Sequence, residues 1–415
     1  MDINYIITLL QEYGPYLSIP IVSALVGYGT NLLAVKMMMY PVDFRGIGPL
    51  GWQGVVPGSA KKMSRILVEQ SLGKVISQQE IIDRIDITKL THAMEHRVNM
   101  LIHKIVDEVM EETQLWGKHS LSKFLWHSAP AGMKDAIYKR IQAQLPDIMD
   151  SITDDFRRDF EVIGNVNESV ITRLETKKTL LIEIFLEAAG KEFDFLARSG
   201  FYFGFPLGIP VMFIWHYLPE WWVLPVFGLL VGYLTNKLAL YMVQKPLLPK
   251  RIFGFTFQGL FIKRQVEISA YLGKVFSKEL LNAETLAKDL LKEPKSVDKI
   301  QELVYESVSN AYLRFPNLVR PLLVASIGPD EYAKSKQIVT DIIVHEMQDP
   351  DPRYYEIIDE SMEIETTLSE RIGQLPPDEF FGLLHPVVAE DQWKLIAVGA
   401  VLGLAAGIMQ WQFLV

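Results

Sequence analysis

Val26–Lys36 reads VGYGTNLLAVK, and Val231–Tyr241 reads VGYLTNKLALY. Each copy lies inside an apolar run long enough to cross a bilayer. Each run ends at a proline, Pro41 or Pro246, and leads into an aromatic-Gln-Gly step, Trp52-Gln53-Gly54 or Phe257-Gln258-Gly259. A Thr-Asn pair in hydrocarbon is costly unless a neighbouring helix satisfies it. Two copies at matched positions therefore mark a duplicated packing site within a membrane.

Working outward, four apolar segments stand out: 17–40, 201–218, 221–243 and 393–415. A span needs roughly 17–25 residues, which each of them supplies. The second is the shortest, and His216 makes its far end polar. Arg45, Lys61, Lys62 and Arg65 follow the first segment, and Lys191 and Arg198 precede the second. Lys245, Lys250, Arg251, Lys263 and Arg264 follow the third, and Lys394 opens the fourth. The other side, made of residues 1–16, the turn Pro219-Glu220 and the C-terminus, carries no Lys or Arg. Cytoplasmic flanks concentrate Lys and Arg, so both long connecting segments are expected inside. Tyr13, Tyr16, Trp215, Tyr217, Trp221, Trp222 and Trp411 then form an outer aromatic belt, with Tyr40 and Trp393 at the inner interface. Met1-Asp2-Ile3-Asn4-Tyr5 lacks the basic start of a cleaved signal, so this segment is expected to stay attached.

The expected layout is an external segment 1–16, a span 17–40, a cytoplasmic helical segment 41–200, a hairpin of spans 201–244, a second cytoplasmic helical segment 245–392 and a span 393–415. The fold class is all-α: about four transmembrane helices in two parallel two-span repeats, plus a large cytoplasmic helical bundle. With two spans in each half, the halves share one orientation and are related about the membrane normal.

The packing faces differ between the spans. Ser23, Gly27, Asn31 and Ala34 line one face of the first, and Gly228, Gly232, Asn236 and Ala239 repeat that spacing in the third. Thr30 and Thr235 precede the two asparagines. Gly200, Gly204 and Gly208 lie four apart in the second, as do Gly399, Gly403 and Gly407 in the fourth. Small residues at every fourth position let membrane helices approach closely. Asn31 and Asn236 are read as helix–helix glue; the competing reading has them lining a polar path. No Asp, Glu or Arg lies deep in any segment, which disfavours ion coupling.

Residues 41–58 are rich in Gly and Pro and break regular structure, with Phe44, Leu50, Trp52, Val55 and Val56 suited to the inner interface. The motif Ser71-Leu-Gly-Lys-Val-Ile-Ser77 returns as Tyr271-Leu-Gly-Lys-Val-Phe-Ser277, five residues closer to its proline. Leu90, Met94, Val98, Leu101, Ile105 and Val109 keep a helical period. Helix-period stretches also occur near 134–150, 165–198, 284–313 and 332–347, with breaks at Pro130, Pro146, Pro316, Pro321, Pro350, Pro352 and Pro376-Pro377. The soluble part therefore reads as helical, one bundle drawn from both halves. His92, His96, Asn99 and His103 share one face with Asp107 a turn on, a solvated face before a metal site.

Composition narrows the function classes. The chain has 415 residues, 49% hydrophobic and 22% charged, no cysteine, and a net charge of −9. That balance suits spans joined to a large soluble portion. It removes thiolate chemistry and Cys-based metal sites. A negative chain with no basic face is not expected to bind nucleic acid. No Gly-x-Ser-x-Gly, His-Glu-x-x-His, P-loop or paired-carboxylate signature occurs, so no enzyme activity, cofactor or metal is expected.

The stretch Gly27-Tyr-Gly-Thr-Asn-Leu-Leu-Ala-Val-Lys-Met-Met-Met-Tyr-Pro41 resembles the signature of domain-of-unknown-function family 445. Gly51-Trp-Gln-Gly-Val-Val-Pro57 with Ala60-Lys-Lys-Met63 is similar to its next block, and Glu390-Asp-Gln-Trp-Lys-Leu-Ile-Ala-Val-Gly-Ala-Val-Leu-Gly403 to its end. Gly29 and Lys237 depart from the larger apolar residues expected there. The likeness implies an uncharacterised bacterial inner-membrane protein with a helical cytoplasmic body and no catalytic residues. The expected role is a non-enzymatic membrane-anchored scaffold or tether; the alternative is a transporter or lipid-handling protein with a path between the repeats. Expected partners are the lipid bilayer, a second copy of the chain, and lipids or other membrane proteins.

Overall fold

A computed structural model of the chain describes residues 3–47, 50–114, 119–252, 254–313, 328–382 and 392–414. The longer helices, in chain order, are α1 (Ile3–Met39), α2 (Ile87–Glu112), α3 (His119–His127), α4 (Ala131–Ile163), α5 (Val166–Thr176), α6 (Lys178–Tyr217) and α7 (Val223–Gln244). They continue as α8 (Gln265–Val275), α9 (Ala283–Lys292), α10 (Pro294–Leu313), α11 (Pro329–Gln348), α12 (Pro352–Met362), α13 (Ile364–Gln374) and α14 (Gln392–Leu414). Pro316, Pro321, Glu390 and Asp391, which the sequence reading used, lie outside the described residues.

The chain forms two compact units. The first comprises Met1–Val75, Val170–Val275 and Glu365–Val415; the second comprises Ile76–Ser169 and Phe276–Ile364. Each therefore draws on both halves of the sequence.

In the first unit α1 packs along α6, and α7 packs along α14. Among the described residues, three helices are long and apolar enough to cross a membrane: Tyr16–Met39, Val223–Gln244 and Gln392–Gln412. The expected span 201–218 differs. It is the last part of α6, a continuous helix of 40 residues that begins in polar sequence and contains Pro206 and Pro210. A proline removes one helical donor, but the close packing of α6 on α1 holds the helix through both. Trp215, expected in the aromatic belt, is instead buried with Ile19, Val211, Val223 and Leu224. The side chain of Tyr13 lies outside the described residues.

Residues 41–58 are more regular than their Gly and Pro content suggests. Strand β1 (Arg45–Ile47) pairs antiparallel with β2 (Leu50–Trp52), and β3 (Lys250–Ile252) pairs likewise with β4 (Phe255–Phe257). At three residues each, these strands are too short for an alternating pattern to register.

The second unit is helical among its described residues. α10 packs on α4, α9 and α11, and α2 packs on α3, α4, α11 and α12. Ile163, Ile300, Leu303, Val304, Val308, Val339 and Val344 form one core cluster. Pro146 falls inside α4 and does not end it. The packing of α4 on α2 and α10 outweighs the roughly 3 kcal/mol that an internal proline costs. Asp107 accepts hydrogen bonds from Trp126 Nε1 (2.9 Å) and Tyr138 Oη (2.8 Å), and His103 lies against the Tyr138 ring. That arrangement explains Asp107 as a partner of aromatic donors. It also pushes the Tyr138 hydroxyl up to about 12, through burial first and the Asp107 bond second. His92 and His96 are exposed.

Candidate functional site: a duplicated helix junction

The two Thr-Asn motifs sit in the same local geometry. Asn31 Nδ2 donates to the Leu196 carbonyl on α6, and Asn236 Nδ2 donates to the Leu395 carbonyl on α14, both at 2.8 Å. Thr30 Oγ1 donates to Gly27 O (3.1 Å), and Thr235 Oγ1 to Gly232 O (3.2 Å). Both asparagines are fully buried. Each keeps its Oδ1 without a donor among the described residues.

The glycines explain how the helices come this close. A methyl group at Gly27 would overlap the Gly200 carbonyl, and one at Gly200 the Gly27 carbonyl. Gly228 and Gly403 stand in the same relation; a methyl at Gly232 would overlap the Gly399 carbonyl, and one at Gly399 the Asn236 side-chain amide. Gly204 and Gly208 lie against Ser23 and Pro20 of α1, and Gly407 lies against Leu224 of α7. Every member of the two small-residue stripes thus faces a partner backbone or its near side chains.

The likeness continues past the helix ends. The peptide bonds Tyr40-Pro41 and Lys245-Pro246 are both cis. Gly54 N donates to Pro41 O, and Gly259 N donates to Pro246 O, each at 2.9 Å. Gln53 Nε2 donates to Val42 O (2.8 Å), and Gln258 Nε2 to Leu247 O (3.1 Å). Ser59 and Arg264 then share one turn conformation, φ −102° and ψ 14°. Beyond it the copies diverge. The first enters a π-helical stretch, Ile66–Leu72, before its Leu-Gly-Lys-Val motif. The second runs directly into α8 and becomes π-helical only at Phe276–Leu280.

Arg264 carries an ion cluster that sequence reading missed. It pairs with the buried carboxylate of Glu192 on α6, and its Nε donates to Glu267 (3.0 Å). Lys191 joins Glu267 from the other side at 2.8 Å. Burial pushes the Glu192 carboxyl above its ordinary value, against the pull of Arg264. Arg264 and Lys191 hold exposed Glu267 down at about 2. Glu192 and Arg264 are far apart in the chain and belong to no spacing pattern, so only the fold brings them together. Glu192 Oε1 has no donor among the described residues. No group of three or more His, Cys, Asp and Glu able to hold a metal occurs among the described residues.

Named relatives match the chain in sequence over a short stretch. UPF0754 membrane protein SERP1382 of Staphylococcus epidermidis is 33% identical over 87 residues, covering 20% of this chain and 23% of that protein. UPF0754 membrane protein SaurJH9_1899 of Staphylococcus aureus is 34% identical over 86 residues, again 20% of this chain and 23% of the relative. The chain thus matches under a quarter of the length of these relatives. No family model matches the chain. No solved structure matches it. The matches lead to an uncharacterised group of membrane proteins, and they carry the name UPF0754, not that of family 445. Neither name states an enzymatic activity.

Proposed function

We propose that this chain is a non-enzymatic, multi-pass inner-membrane protein whose two parallel two-span repeats anchor a cytoplasmic helical scaffold or tether. The observation that carries this reading is the pair of matched junctions: two buried asparagines, each tied to a backbone carbonyl on a neighbouring helix, followed by two matched glycine-to-proline backbone closures. In this reading α6 supplies the fourth span through 201–218, and the lysines and arginines after Pro41 and Pro246 lie inside. Asn31 and Asn236 act as helix glue, and the second unit presents surfaces to partners. Exposed Phe124 and Leu125 on α3 and Met133 on α4 are the apolar side chains assigned to that contact in this reading.

The competing reading, a path for a ligand between the repeats, draws on the two Oδ1 atoms that lack donors. Against it, the space bordered by Ser23, Thr30, Gly228 and Gly403 amounts to about 20 Å³. That is little more than one water requires.

Because the chain has no cysteine, single cysteines report cleanly. Cysteines placed at exposed Lys62 and Lys263 are expected to react with an impermeant maleimide only after the inner membrane is opened. Reaction in cells with an intact inner membrane would reverse the orientation. A photo-crosslinking residue at Phe124 in living cells is expected to give a reproducible protein adduct, either a second copy or one defined partner. Adducts to lipid alone would sink the scaffold reading.

A further inference from the structure

α1 and α7 end in one shared core. Met38 and Met39 of α1 belong to the same cluster as Ala239 and Leu240 of α7, so the hairpins that follow leave the same end of the first unit. Each hairpin is held at the level of its helix end. Trp52 Nε1 donates to Met37 O (3.1 Å), and Gly54 lies against the backbone of Met39 and Tyr40. In the second copy Gly259 lies against the backbone of Val243 and Gln244. Where a spanning helix ends, hydrocarbon gives way to headgroups, so a hairpin fixed there sits at headgroup depth.

Both hairpins present the same chemistry at that depth. The register of β1 and β2 sets Arg45 opposite Trp52, and that of β3 and β4 sets Lys250 opposite Phe257. Directly opposed residues share a face of the ribbon, so each copy places a cation and an aromatic residue together. Phe44 and Ile47 on the first hairpin and Leu248 before the second are exposed, Ile47 by 89%. Open apolar side chains beside cations suit a boundary with acyl chains on one side and headgroups on the other.

Charge selects the headgroup. Arg45, Lys61, Lys245, Lys250, Arg251 and Lys263 are exposed and meet no carboxylate among the described residues. Residues 245–264 contain no Asp or Glu, and residues 41–63 contain only Asp43, which faces Lys178 at 3.4 Å. Deeper in the same unit the cations are matched, as Lys191 and Arg264 are by Glu267. A zwitterionic headgroup would bring a further cation to this surface, whereas a phosphodiester without an amine brings only the missing negative charge.

We infer that the two hairpins form a paired binding surface for anionic phospholipid, with Arg45 and Lys250 on the phosphates and Phe44, Ile47 and Leu248 among the upper acyl carbons. The inference rests on the reading that α1 and α7 cross a membrane and names the lipid class they meet; it is independent of the scaffold role.

The test uses the full chain in phosphatidylcholine nanodiscs containing a minor share of phosphatidylglycerol, some of it carrying a diazirine near the headgroup. Adducts located by peptide mass spectrometry are expected on both hairpins, displaced by unlabelled phosphatidylglycerol but not by added phosphatidylcholine, and weakened by salt. Arg45→Gln is expected to lower labelling of the first hairpin about fivefold, the weight of one cation at an anionic surface, and to spare the second. Lys250→Gln is expected to do the reverse, and Arg45→Lys to keep the labelling. Both positions are exposed and unpaired, so neither change disturbs the fold. Equal displacement by phosphatidylcholine, indifference to both substitutions, or adducts confined to other segments would overturn the inference. So would unlabelled hairpins in these discs together with a protein adduct from a photo-crosslinker at Ile47 in cells, which would assign the surface to a protein partner. A chain that does not enter the discs overturns the membrane reading as well; one that enters them and shows no lipid preference overturns this inference alone.

Discussion

The two helix junctions share their backbone and differ in their charges. In both, an asparagine bonds a carbonyl across a glycine contact, a cis proline starts a short hairpin, and a glycine amide closes back on that proline. At the turn that follows, the first copy has Ser59 and the second has Arg264 in the same conformation. Only in the second does the described structure show that turn residue bound to a buried glutamate beside an apolar cavity. The shared part follows from helix approach and backbone closure, which impose the same demands at both junctions. The difference lies in side chains that no backbone contact constrains.

The sharpest way to break the comparison is at Arg264. Arg264→Ala leaves Glu192 buried without its partner, and breaking such a pair costs about 3–5 kcal/mol. Arg65→Ala in the first copy touches a half-exposed i,i+4 pair with Glu69 and is expected to cost under about 0.5 kcal/mol. Thermal unfolding of the two variants in detergent measures the contrast, and equal losses would mean that the cluster is not specific to the second copy. The loss should also depend on pH. Without Arg264 the Glu192 carboxyl, already raised by burial, rises further. A raised folded-state value favours folding below the ordinary carboxylate range and loses that benefit as pH rises through it. The deficit of Arg264→Ala is therefore expected to narrow toward about pH 4 and widen toward neutrality.

Next in size come the glycine contacts, where the copies should agree. Gly27→Leu and Gly232→Leu both force a side chain into a carbonyl on the facing helix, at roughly 1–3 kcal/mol each. A large loss in one and none in the other, read from the same melting measurement, would end the equivalence of the two junctions.

These contrasts also show what the chain made legible before folding. Three of the four expected spans, the glycine stripes and the Thr-Asn pair follow from local composition and periodicity, so their spacing was visible in one dimension. That Asn31 and Asn236 each reach a backbone carbonyl was not, because acceptors such as Leu196 O carry no residue signature. The hairpins were too short to register, and α6 was read as two pieces because its polar start and its Phe201-to-Tyr217 end have different compositions. The Glu192–Arg264 pair joins residues that share no element, and the cavity beside it exists only once four helices have met.

The asparagines offer a smaller and more discriminating contrast. Hydrogen bonds between membrane helices average about 0.6 kcal/mol and reach about 1.7. Asn31→Ala leaves the Leu196 carbonyl with a second donor, Ser199 Oγ at 2.7 Å. At the matched position the second copy has Val398, which has no hydroxyl to offer Leu395. Asn236→Ala is therefore expected to cost more than Asn31→Ala, and the reverse order would show that the carbonyls are not what the amides stabilise.

The smallest effect belongs to Glu267, on the exposed edge of the second copy's cluster. Arg264 and Lys191 hold its carboxyl at about 2, against an ordinary value of 4.5. A lowered folded-state value stabilises the fold above the ordinary value, and that contribution is lost as pH falls through the folded one. Glu267→Gln should thus lower the melting temperature slightly at neutral pH, and the gap to the unaltered chain should close between 4.5 and about 2. Salt should shrink the gap as well, because exposed pairs are screened. A gap that persists at the acid end would mean Glu267 contributes through packing and not through charge. The charge difference between the two junctions would then reduce to the single buried pair of Glu192 and Arg264.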